Sequence, residues 1–139
     1  MVPKDGATAF AAIPTTADAM ERKVRGLRRT LEAEVERVAD LPVYDLALAY
    51  ELYGLLLKPL QGSWMPAKHL IVVTNGALGL LPLSLLPTAP AQLEQDQGLL
   101  FAAYRSVPWL ARTHAVTSAP SASALWALRQ LPRPPSASR

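Results

Sequence analysis

The amino-acid sequence predicts an α/β fold in which N-terminal helices are followed by the first strands of a mostly parallel sheet. Residues 69–74, HLIVVT, are mainly β-branched and aliphatic and show no polar alternation. Such a run is typical of a strand buried on both faces of an α/β sheet. Two segments with helical periodicity precede it, and a second strand is predicted at residues 113–118.

The composition limits the chain to one domain and excludes several kinds of chemistry. Its 139 residues are enough for a single hydrophobic core. The absence of cysteine excludes disulfide bonds, thiolate zinc sites and a cysteine nucleophile within these residues. The net charge of +3 combines basic and acidic blocks, and a nucleic-acid partner is therefore disfavoured.

Both ends of the chain are predicted to lie outside a folded region at residues 18–131. Residues 1–17 are small and aperiodic, which predicts a flexible leader, and they lack the apolar core of a signal peptide. Residues 132–139 contain three prolines, which predicts a disordered connector. The uncharged run at 70–93 is interrupted by Asn75-Gly76 and by prolines. We therefore expect core strand and turns instead of a membrane span, and a cytoplasmic location.

The first helix is expected to begin at Asp18, because Asp18-Ala-Met-Glu21 has the spacing of a capping box. It is predicted to continue as far as residue 38, since apolar residues recur at spacings of three and four: Met20, Val24, Leu27, Leu31, Val35 and Val38. Five basic residues between positions 22 and 29 could bind an anion or a nucleic acid. No aromatic or glycine platform accompanies them, and a solvated helix face is the favoured interpretation.

The second helix is predicted over residues 46–57, with Asp45 as its N-cap and Pro59 limiting its end. Three tyrosines lie in or beside it: Tyr44, Tyr50 and Tyr53. A ligand cage is one interpretation, but packing in the core with hydroxyls at the rim is favoured. Residues 61–68 are expected to form a loop that folds Trp64 and Met65 onto the core.

After the first strand, Asn75-Gly76 is a strong signal for a two-residue turn. Residues 77–81 are predicted to return as a short strand, followed by a helical turn or an extended corner at 82–86. The polar residues 88–98 predict a surface loop, with or without a short helix, and residues 99–104 are compatible with helix or with extended chain. Ser121 is expected to cap a third helix at residues 121–131.

No set of residues in the sequence assembles a catalytic, cofactor or metal site. Gly76-Ala-Leu-Gly79 lacks both the P-loop lysine and the third glycine of a dinucleotide fingerprint. His69 and His114 lie at strand starts without a carboxylate neighbour, which favours a surface or strand-end role. Three serines lack the glycines of a nucleophile elbow: Ser118, Ser121 and Ser123. We therefore assign no catalytic, cofactor-binding or metal-binding residue.

Two longer motifs occur in order within residues 18–131. The first is HLIVVT followed by Asn75-Gly-Ala-Leu-Gly-Leu-Leu-Pro82, and the second is residues 114–125, HAVTSAPSASAL. Together with residues 44–53 and 57–60, they resemble the N-terminal portion of a CHAT domain. CHAT domains are similar to caspases and separases, and they often follow tetratricopeptide repeats in bacterial proteins. The resemblance implies an incomplete caspase-like three-layer arrangement.

In the CHAT family, the catalytic pair is a histidine in a His-Gly motif and a cysteine in an Ala-Cys motif, each at the end of a later strand. Neither motif occurs in this sequence, because neither histidine precedes a glycine and cysteine is absent. The resemblance therefore implies a peptidase-like fragment that is inactive alone, with the later strands outside this sequence.

The implied partners are proteins: the rest of a CHAT domain, a repeat-containing protein or a second copy of the chain. The alternative is a non-enzymatic interaction module that docks a partner through an exposed sheet edge or a helix face.

Overall fold

The computed structural model describes residues 1–3, 6–93 and 101–131. Four α-helices and two strands occur in these residues: α1 (Ala17–Arg29), α2 (Leu46–Leu56), α3 (Gln61–Trp64), β1 (His69–Val73), β2 (Ala115–Ala119) and α4 (Ala122–Gln130). Short 3-10 segments connect them at Val38–Asp40, Lys58–Leu60, Gly76–Leu80, Leu83–Leu85, Ala102–Ser106 and Leu110–Arg112. The strands pair in parallel, and the predicted α/β class is confirmed at this level.

Helix α1 is shorter than predicted and has a different cap. The hydroxyl of Thr16 accepts from the backbone N–H of Ala19 at 3.2 Å, and Asp18 lies in the first turn. The helix ends at Arg29, although the apolar spacing of the sequence continues. Helix length depends mainly on packing of the apolar face, and the later members of that stripe are exposed: Leu31, Val35 and Val38.

Helix α2 confirms the sequence prediction closely. The Asp45 carboxylate accepts from the backbone N–H of Leu48 at 2.9 Å, as an N-cap does. Its buried residues, Leu46, Ala49, Leu52 and Tyr53, meet the buried face of α1, which consists of Met20, Val24 and Leu27. These two faces form much of the hydrophobic core.

Residues 61–64, predicted as a loop, form the short helix α3. Trp64 is 1% exposed, as expected for a core residue, and its indole N–H donates to the carbonyl oxygen of Leu57 at 2.8 Å. Met65 is half exposed, and the prediction that it folds onto the core is wrong. This bond joins the end of α3 to Leu57, the C-cap of α2.

The predicted hairpin after β1 is also wrong. Gly76 has φ +57°, so a turn does follow β1, but residues 76–80 then form a 3-10 segment. The neighbour of β1 is β2, with His69 opposite Ala115 and Val73 opposite Ala119. A parallel partner cannot be reached through a two-residue turn, because the chain must return to the starting end of β1.

The remaining predictions have mixed outcomes. Residues 83–85 form the predicted helical turn, and Ser121 caps α4 by accepting from the Ala124 N–H at 2.9 Å. Residues 88–93 contain no helix, and residues 102–106 form a 3-10 segment. The predictions for residues 94–98, for positions 99 and 100, and for the connector at 132–139 lie outside the described residues.

Candidate functional site

Strand β1 exposes one of its two faces. Leu70 is buried and Val72 half-buried on one side, whereas Ile71 is 41% and Val73 44% exposed on the other. We call the second side, with His69, Ile71 and Val73 of β1 and Thr117 of β2, the open face. Parallel sheets are normally covered on both faces. The prediction that β1 is buried on both faces is therefore wrong for the described residues.

The hydrogen-bond register shows which backbone groups of β1 lack a strand partner. The N–H of Ala115 donates to the carbonyl oxygen of Lys68 at 2.9 Å. In a parallel ladder with His69 opposite Ala115, residues 68, 70 and 72 then direct their backbone groups toward β2, and His69, Ile71 and Val73 direct theirs away from it. We call these outward groups the outer edge of β1. No described strand pairs with it.

His69 lies on the open face and connects the two strands. Its Nε2 is 2.7 Å from the hydroxyl oxygen of Thr117. No group of three metal-binding side chains occurs in the part of the chain that the structure describes. The side chain therefore contributes to strand pairing, in agreement with the strand-end role that the sequence favours.

His114 is the one buried polar residue among the described positions, and both its ring nitrogens are engaged by the protein. Nε2 lies 3.2 Å from the carbonyl oxygen of Met65, and Nδ1 lies 2.7 Å from the hydroxyl oxygen of Thr113. Like His69, it lies at the amino end of the sheet. Ligands and reactive groups of open α/β sheets collect at the carboxyl ends of the strands, which is the opposite end of the sheet.

A pocket of about 360 Å³ is a second candidate site, which the sequence analysis missed. Its lining is mainly apolar and aromatic: Thr30, Leu31, Leu41, Pro42, Tyr44, Leu85, Phe101, Tyr104 and Trp109. The lining comes from four separated stretches of chain, which no sequence window unites. The aromatic spacing in residues 101–109 is the signal that could have indicated it.

The polar atoms of this pocket are largely engaged within the protein. The Tyr44 hydroxyl donates to the carbonyl oxygen of Leu85 at 3.3 Å, and the Tyr104 hydroxyl accepts from the Tyr44 N–H at 2.9 Å. Burial, and secondarily the charge of Asp45, raises the pKa of the Tyr44 phenol well above its usual value. The hydroxyl is therefore neutral, and Tyr44 is buried in the core, as the favoured interpretation of the sequence expects.

Phe101 borders the same pocket with φ +64°, in the left-handed region. For a bulky residue this conformation costs roughly 1–2 kcal/mol. Phe101 contacts Tyr104, with ring centroids 6.1 Å apart, and Tyr104 stacks on Trp109 at 6.3 Å. The aromatic contacts hold the strained residue in place.

The basic residues of α1 do not form a free cationic patch. Lys23 pairs with Glu51 at 2.8 Å, Arg25 pairs with Glu21, and Arg28 pairs with Glu32. Arg28 also donates to the carbonyl oxygen of Leu80 at 2.9 Å. Three of the five cations are thus neutralised locally, which supports the interpretation of a solvated face.

Comparisons with protein-family models, with curated proteins and with solved structures returned no match. Among the described residues, no helix combines the length and the apolar character that crossing a membrane requires.

Proposed function

We propose that this chain is the front portion of a CHAT-like domain, related to caspase-like cysteine peptidases, and that it contributes helices and the first sheet strands but no catalytic residue. The two sequence motifs support the family. The open face is the single observation that carries the proposal, because among the described residues β1 exposes Ile71 and Val73 there, whereas the strands of a parallel sheet are normally covered on both faces.

The composition of the strands supports a sheet that continues beyond β1. The residues of β1, HLIVV, are almost entirely apolar, as in an interior strand of a parallel sheet. Those of β2, AVTSA, are smaller and partly polar, as at an edge. The described sheet nevertheless leaves both strands at an edge. Additional strands beside β1, with helices over the open face, would resolve this mismatch.

The chemistry of the chain is consistent with a scaffold role. Nucleophilic catalysis of the caspase kind needs a thiolate and a nearby base. The sequence has no cysteine, and its two histidines bind protein groups at the amino end of the sheet. We therefore propose that later strands provide both catalytic groups and that this chain alone is inactive.

The test is to read the coding sequence that follows codon 139 and to assay both products. A His-Gly motif and an Ala-Cys motif are expected downstream, each after a predicted strand. The 139-residue chain should not cleave a fluorogenic peptide library, and the extended product should lose any cleavage when the motif cysteine is replaced by alanine. The proposal fails if neither motif is encoded, or if the 139-residue chain cleaves peptides after removal of contaminating protease.

A non-enzymatic interaction module is the alternative, and helix α4 is the observation that favours it. Trp126 is 67% and Leu128 61% exposed, and no residue of the helix is buried. Exposed aromatic residues of this kind are enriched in protein interfaces. Absence of both motifs downstream would leave this alternative as the better proposal.

A further inference from the structure

We infer that, in the 139-residue chain, the outer edge of β1 pairs antiparallel with the outer edge of β1 in a second copy, which produces a four-stranded sheet across a two-fold axis. The inference rests on the proposed function in one respect only, which is the premise that the sheet is incomplete. It concerns what occupies the edge when the chain is alone.

The backbone register provides the hydrogen-bonding groups for such a pair. His69, Ile71 and Val73 direct their N–H and C=O groups away from β2, as the bond from Ala115 to Lys68 requires. A two-fold axis at Ile71 places His69 opposite Val73 of the second copy and Ile71 opposite its own equivalent. Each of these residues then exchanges both backbone bonds with its opposite, as in an antiparallel ladder.

The sequence of β1 lacks the residues that normally prevent edge pairing. Proteins protect exposed edges with lysine, proline, bulges or covering segments. Residues 69–73 contain neither lysine nor proline, and their exposed side chains include Ile71 and Val73. The outer edge of β2 is less suitable, because it carries Ser118 and is followed directly by Pro120.

The charges flanking β1 favour the antiparallel arrangement. Lys68 immediately precedes the strand. Antiparallel pairing about Ile71 separates the two lysines by six residue steps, about 20 Å at 3.4 Å per residue, which exceeds the Debye length of about 8–10 Å. Parallel pairing would place the lysines side by side. The antiparallel pair also joins the exposed Ile71 side chains of both copies on one continuous face.

The test is the mass of the intact 139-residue chain in solution, measured by size-exclusion chromatography with light scattering. The wild type is expected at about twice the 15.0 kDa chain mass. Ile71→Pro removes an outward N–H and no bond of the β1–β2 ladder, and a monomer is expected. Ser118→Pro, which removes an outward N–H of β2, is the matched control and should remain dimeric.

Ile71→Lys adds an edge charge without restricting the backbone, so it covers the case in which the proline variant does not fold. It should also be monomeric, with the circular dichroism of the wild type. A monomeric wild type at about 100 μM, well above the range of micromolar affinities, would overturn the inference. A Ser118→Pro variant as monomeric as Ile71→Pro would also overturn it. Neither outcome affects the downstream motifs or the peptidase assay.

Discussion

The imidazole of His114 packs edge-on against the indole of Trp64, with ring centroids 5.0 Å apart. Both rings are anchored to backbone carbonyls, His114 to that of Met65 and Trp64 to that of Leu57. This contact joins the residue that precedes β2 to the helix that precedes β1. The amino end of the sheet is thereby fixed to the helices, whereas no described strand pairs with the outer edge of β1.

Trp64→Phe is expected to lower the free energy of unfolding by about 2–4 kcal/mol, because it creates a cavity and removes one of the two donors to the carbonyl oxygen of Leu57, which also accepts from the Leu60 N–H. Chemical denaturation followed by circular dichroism measures the change. Trp126→Phe is the matched control, and since Trp126 is 67% exposed, its effect should stay within about 0.5 kcal/mol. Equal losses in both variants would contradict the packing described for Trp64.

Thr16→Ala is expected to destabilise the chain by about 1 kcal/mol, because the Thr16 hydroxyl caps α1. Asp18→Ala removes a favourable charge from the first turn and should cost less, about 0.3–1 kcal/mol and decreasing with added salt. Urea unfolding at low and high salt separates the two effects. A larger loss for Asp18→Ala would support the capping box that the sequence alone predicts.

Gly54→Ala is expected to stabilise α2 by about 1 kcal/mol, because glycine is a poor helix former and the added methyl group meets nothing within 4 Å. Gly26→Ala in α1 is the matched case, in which the new methyl group would lie 3.4 Å from a Leu48 methyl group. A smaller gain is therefore expected there. Thermal melting compares the two variants. A lower melting temperature for Gly54→Ala would contradict the open space around this position.

Tyr44 is expected to make stability depend on alkaline pH. Its pKa is raised in the folded state by burial, and the unfolded side chain titrates near its ordinary value of about 10. The contribution of protonated Tyr44 to the free energy of unfolding is therefore fully present below pH 10. It is lost as pH rises above that value, because the unfolded state then releases a proton that the folded state retains. Tyr44→Phe should flatten the decline in denaturant midpoint above pH 10, whereas an unchanged decline would contradict this assignment.

Features set by neighbouring residues were predictable from the sequence. Asp45 and the apolar spacing after it defined α2, and Ser121 defined the start of α4, because a cap and a helix face are properties of one short segment. The buried position of Trp64 was also expected.

Features set by distant parts of the chain were not predictable. The apolar spacing continues through Leu31 and Val35, but both side chains stay partly exposed, and α1 ends at Arg29. The turn at Gly76 marks a change of direction without indicating which strand pairs with β1. The aromatic pocket likewise combines Tyr44 with Trp109, whose proximity only the folded chain reveals.

Residue-resolved hydrogen exchange on the 139-residue chain, at a concentration where light scattering shows a monomer, tests the incomplete sheet most directly. Slow exchange is expected at the ladder amides of Leu70 and Val72 and of Ala115 and Thr117, because these donate between β1 and β2. The amides of Ile71 and Val73 should exchange rapidly, since they belong to the outer edge of β1. Strong protection of Ile71 and Val73 in the monomer would show that another segment of the same chain already covers this edge, and the account of an incomplete sheet would be wrong.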